Sequence, residues 1–156
     1  MNGPFEVNGA THLPVDVAKK SRVSCVSSSA SSVTAVRLQG PKPSVESRCC
    51  SIKRQYKSWG EIDELNTHHS NSFWREIRDV VTFLDCYEDQ VWRLSVPPSH
   101  GATVVSRIKE KIECKVYFDW GGGLVWVAVN EEMKHVDTLI RDSLLPQGGH
   151  ATLIRG

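Results

Sequence analysis

The chain has 156 residues, 40% of them hydrophobic, and a net charge of +1 from 19 basic and 18 acidic side chains, the balance of an ordinary globular domain that buries roughly two-thirds of its unfolded surface. So even a charge gives no electrostatic case for nucleic acid or a membrane surface. No apolar run reaches membrane-spanning length, and no apolar N-terminal core marks a signal peptide.

The five cysteines, Cys25, Cys49, Cys50, Cys86 and Cys114, are an odd number without paired spacing. That favours a reducing, cytoplasmic setting over a disulfide framework. Met1–Pro14 reads as the interior of a longer protein more than a natural start, with a short strand at Phe5-Glu6-Val7 between turn residues. Residues 15–32 show little periodicity, and Ser27–Ser32 reads as a loop. Val33–Leu38 alternates as a strand until Gly40-Pro41. Ser44–Trp59 predicts a helix with Val45, Cys49, Ile52 and Tyr56 inward, ended by Gly60; Glu61–Leu65 reads as a short strand.

Ser70 or Asn71 caps a second predicted helix bearing Phe73, Ile77, Val80 and Leu84. In the strand Val91–Val96, Trp92, Leu94 and Val96 face one way, and Val91, Arg93 and Ser95 the other; Pro97-Pro98 closes it. A third helix starts at Ser99 or His100, with Val104, Val105, Ile108 and Ile112 inward. Val116–Asn130 predicts a hairpin turned by Gly121, Gly122 and Gly123. These glycines serve either a plain core turn or the close approach of a planar ligand. Asn130 caps a fourth helix bearing Met133, Val136, Ile140 and Leu144, and a strand at His150–Arg155 follows.

This order predicts a single α+β domain over 1–156. The expected form is a two-layer sandwich: a mostly antiparallel sheet with helices on one face, built from ferredoxin-like split β-α-β elements. A doubly wound α/β sheet is less suitable, because the hairpin forces antiparallel pairing and the strands read as one-sided. The second sheet face, carrying Arg93, Ser95 and alternate hairpin residues, is then expected to be open.

Five segments resemble, in order and spacing, the C-terminal part of the FAD-binding subunit of bacterial glycolate oxidase, in the FAD-linked oxidase family. They are Asn2–Val7 with Ala10–Pro14, Phe73–Val80, Val91–Pro98, Asp119–Leu124 and Gly148–Leu153. The resemblance implies a flavin-covering C-terminal domain whose N-terminal FAD-binding domain is absent from the chain. It implies FAD-dependent oxidation of glycolate, a 2-hydroxy acid, to glyoxylate, with electrons passing through flavin to an iron–sulfur subunit. The implied partners are the FAD-binding domain or subunit and other glycolate oxidase subunits, with no nucleic acid and no direct membrane span. Membrane association, where it occurs, is through those partners. No Gly-x-Gly-x-x-Gly loop is present for a diphosphate, so the chain alone is expected to bind FAD weakly or not at all.

Within those segments, Arg93 and His150 are the expected catalytic residues. Arg93 either holds a substrate carboxylate or charge on reduced flavin, or pairs with Asp119 across the sheet. His150 either takes the hydroxyl proton or bonds a loop carbonyl. Ser95, Asp119, Trp120, Gly121, Gly122, Gly149 and Thr152, together with Arg93 and His150, are the expected cofactor contacts. His68-His69 lacks companion ligands for a metal. The competing function is a non-catalytic subunit-interaction module. An RNA-binding sheet using Tyr117, Trp120 and Trp126 fails on charge and motif.

Overall fold

The computed structural model describes residues 5–85, 88–146 and 148–156. Its strands are β1 (Gly9–Leu13), β2 (Val33–Arg37), β3 (Asp89–Ser95), β4 (Lys115–Asp119), β5 (Leu124–Asn130) and β6 (His150–Arg155). Its helices are α1 (Val15–Ala18), α2 (Ser24–Ser27), α3 (Lys42–Tyr56), α4 (Thr67–Arg78), α5 (Gly101–Lys109) and α6 (Val136–Leu144). The strands form one sheet in the order β2-β1-β4-β5-β3-β6, with every neighbouring pair antiparallel.

From β3 onward the chain runs β-α-β-β-α-β in the sheet order β4-β5-β3-β6, the ferredoxin-like arrangement expected from the sequence. Period-two alternation aims Trp92, Leu94, Val125 and Val127 at one face, where Val104, Ile108, Ile140 and Leu144 of α5 and α6 meet them in one cluster. Each such aliphatic side chain contributes about 1.5–3 kcal/mol when fully buried, so this layer is a major source of cohesion. Before it, β1 and β2 extend the sheet beyond β4. Their hairpin is tied on by the His12–Phe118 pairing and by the Thr11 hydroxyl, which donates to the Phe118 carbonyl at 2.6 Å.

The second face differs from expectation. It is closed over β4 and β5, where Tyr117, Leu124, Trp126 and Ala128 pack against Leu13, Val17, Phe73, Ile77 and Phe83. The Tyr117 hydroxyl donates to the Ile77 carbonyl at 3.0 Å, locking the sheet to α4. Leu124–Val129 is therefore buried on both faces, an unbroken apolar run and not the one-sided strand expected from the sequence. The buried carboxylate of Glu76 on α4 accepts from the Ser21 hydroxyl at 2.7 Å and the Arg22 amide at 3.0 Å. This staples the α1–α2 connection to the same layer.

Several local expectations shift. The first strand is β1, not Phe5-Glu6-Val7, where Glu6 takes a left-handed φ of 48°. Residues 15–32 are not aperiodic loop alone: α1 and α2 bury Val17, Ala18 and Val26, but four-residue helices are too short to print a period. The predicted strand at Glu61–Leu65 is irregular, because no neighbouring strand receives it. Asn66, not Ser70 or Asn71, caps α4 through the His69 amide. That helix stops at Arg78 before left-handed Val80, and Leu84 is exposed. Asn130 turns the chain through the Glu132 amide, so α6 starts only at Val136 and Met133 is exposed. Cys49 is half-buried rather than core, with burial pushing its thiol pKa up, and Cys86 lies outside the described residues.

Candidate functional site

Closure of the second face stops short of its β3–β6 side. Register pairs Arg93 with Trp126 on β5 and Thr152 on β6, and pairs Ser95 with Leu124 and His150. Antiparallel partners share a face, so Arg93, Ser95, His150 and Thr152 form a contiguous polar strip. Arg93 and His150 are diagonal neighbours in it, about 7–8 Å apart at the backbone by ordinary sheet geometry. Arg93 and Ser95 are half-buried; His150 and Thr152 are exposed. Trp126, stacked on Tyr117 at 6.3 Å, borders the strip beside Arg93.

Above the strip stands Trp120, 58% exposed. Its ring lies over the Arg93 guanidinium, 5.8 Å from carbon to centroid. Trp120 is held in a left-handed conformation, φ 50°, by a one-turn 3₁₀ segment whose cap is the Asp119 carboxylate, accepting the Trp120 amide at 2.8 Å. Keeping a tryptophan at positive φ costs energy that the surrounding turn supplies. Burial raises the Asp119 pKa, partly offset by that amide. Among the described residues Asp119 forms no ion pair with Arg93, so the cross-sheet pairing alternative is not what engages the guanidinium.

The glycines have internal work. Gly122, at φ 93°, sits where a side-chain carbon would meet the Pro98 carbonyl at 2.9 Å; Gly149 sits against the Ser95 carbonyl in the same way. Gly121, at φ 61°, completes the turn. These positions let the β4–β5 connection and the start of β6 pack on the end of β3. All nine residues expected from the sequence thus lie at one end of the sheet. Sequence reasoning missed Trp126 as the neighbour of Arg93, because that adjacency is set by register between strands.

Elsewhere, Arg78 forms a solvent-exposed pair with Asp79. Tyr117 and Trp126 are too buried to stack on bases. No cluster of metal ligands and no helix long and apolar enough to cross a membrane occurs among the described residues. Comparison with protein-family models, curated proteins and solved structures finds no match for this chain.

Proposed function

We propose that this chain is the flavin-covering domain of an FAD-dependent 2-hydroxy-acid oxidase of the glycolate oxidase type. The observation that carries the reading is the strip itself. Two segments separated along the chain, Val91–Pro98 and Gly148–Leu153, contribute one guanidinium, one imidazole and two hydroxyls to a single border of the sheet, and Trp120 of a third, Asp119–Leu124, stands over the guanidinium. Those groups suit the polar rim of a flavin ring and the carboxylate of a small acid. They do not suit a diphosphate: the glycines are filled by the chain's own carbonyls and precede no helix N-terminus. An FAD-binding domain must supply that part, and an iron–sulfur subunit the onward electron path.

In this reading Arg93 binds the substrate carboxylate, its planar fork fixing orientation, while Trp120 covers one guanidinium face and excludes water. His150 takes the hydroxyl proton, as histidine does near neutral pH. Bound FAD supplies the acceptor for the hydrogen and two electrons leaving the hydroxyl-bearing carbon. Ser95 and Thr152 donate hydrogen bonds that hold the ring edge.

The test uses the chain joined to, or copurified with, its FAD-binding half. Arg93→Ala is expected to slow glycolate-dependent flavin bleaching by about ten- to a hundredfold, the worth of a charge-assisted hydrogen bond, with an unchanged unfolding midpoint. Equal loss of stability would make Arg93 structural, and a complete protein without flavin absorbance would overturn the reading. A second reading, a non-catalytic docking module, draws on the outer edge of β6, which pairs only with β3 among the described residues. A stable complex with flavin and iron–sulfur subunits on gel filtration, with Arg93→Ala indifferent in turnover, would select it.

A further inference from the structure

Three successive residues of the β4–β5 connection have left-handed backbone: Trp120 at φ 50°, Gly121 at 61° and Gly122 at 93°. Glycine enters that region without a steric penalty, and tryptophan does not. A bulky side chain is therefore held where glycine would fit at lower cost. What the position gains is the indole over the Arg93 guanidinium. Two hydrogen bonds hold the conformation. The Trp120 carbonyl accepts the Gly123 amide at 3.3 Å, and the Asp119 carboxylate accepts the Trp120 amide at 2.8 Å. The first is backbone to backbone and does not depend on side-chain identity. The second depends on Asp119.

Arg93 is the other half of the contact. Its side chain has no ion pair and no hydrogen bond among the described residues, although the residue is half-buried. A guanidinium partly withdrawn from water without an anion is costly. An indole on one face offsets part of that cost and leaves the N–H edge free. That edge is what a carboxylate engages, through paired hydrogen bonds. A guanidinium already restrained by the ring loses less freedom when the carboxylate docks.

We propose that Asp119 is a positioning residue for this anion site: by holding Trp120 left-handed it keeps the indole on Arg93, and so sets the affinity of the strip for a small carboxylate. The inference rests on the reading of Arg93 as the holder of the substrate carboxylate. It adds that this chain organises the grip before any flavin is bound, and that Asp119 acts through the Trp120 amide rather than through its charge.

The test is a heteronuclear NMR titration of the full chain with sodium glycolate, following the Arg93 Nε–H and Trp120 indole N–H signals, with glycolamide as the uncharged control. In wild type the ring should displace the Arg93 signal upfield, and glycolate, not glycolamide, should move both signals saturably. Asp119→Ala should abolish the upfield displacement and weaken glycolate by about fivefold, the order of a cation–π contact. Asp119→Asn, which still accepts the amide, should restore both. Trp120→Gly, which relieves the strain and removes only the ring, should match Asp119→Ala, and combining the two should add nothing. In the chain joined to its FAD-binding half, Asp119→Ala should raise the KM for glycolate with little change in kcat. Wild-type affinity in Asp119→Ala or in Trp120→Gly, or an asparagine that fails to restore it, would overturn the positioning role and leave Arg93 as the carboxylate holder. A wild-type chain without a saturable glycolate response would overturn the Arg93 reading and this proposal with it.

Discussion

Asp119 combines two opposed demands: it must accept the Trp120 amide, and it is partly withdrawn from water. Burial is the larger effect and raises its pKa. A carboxyl whose folded pKa lies above its unfolded one binds protons more readily in the fold. Its contribution is therefore present below the ordinary carboxylate pKa and is lost as pH rises through the raised value. Asp119→Asn keeps the acceptor and discards the charge. Urea unfolding across pH should find the variant more stable than wild type above the carboxylate range, with the difference closing in acid. Curves that coincide at every pH would mean that ionisation of Asp119 has no cost to the fold. At this scale the strip was legible because Arg93, Ser95, His150 and Thr152 obey period-two alternation on their own strands. What covers the guanidinium was not, because the Trp120 contact depends on a left-handed tryptophan that no local pattern announces.

Elements that bury a regular face announced themselves. Strand β3 and helix α5 do so, with Val104, Val105 and Ile108 of α5 at helical spacing. Those held by isolated tertiary ties did not: α1 and α2 are fixed by Glu76, some fifty residues away, through Ser21 and Arg22. Glu76→Ala would strand the buried Ser21 hydroxyl and the part-buried Arg22 amide and is expected to cost about 2–4 kcal/mol. A denaturant midpoint shifted at constant slope would record it. Glu46→Ala, which removes only an exposed partner of Lys42 at 3.8 Å, provides the contrast and should fall within about 0.5 kcal/mol of wild type. If the two variants matched, the α1–α2 connection would owe its position to packing alone. The misread strand at Glu61–Leu65 has the complementary cause: local sequence permits extension, but pairing needs a neighbour.

Over the whole molecule, the ferredoxin-like half was legible as an order of connections, since a hairpin between two helices leaves few ways to close an antiparallel sheet. Its cover was not, because the N-terminal segments reach the second face only through contacts distant in sequence. Residues 88–156 expressed alone would uncover Tyr117, Leu124 and Trp126. That fragment is expected to bind an apolar dye and to unfold without the cooperative transition of the full chain. Full cooperativity without dye binding would make the N-terminal layer dispensable. The position of β6 has a further consequence during synthesis. Strand β3 leaves the ribosome well before its outer neighbour exists, an interval on the order of seconds at ordinary elongation rates. Once β5 has paired on its inner side, β3 presents a bare ladder edge beside Trp92 and Leu94 until β6 arrives. A product stalled short of His150 would keep that adhesive border, giving chaperones and proteases a mark by which to tell it from the finished protein.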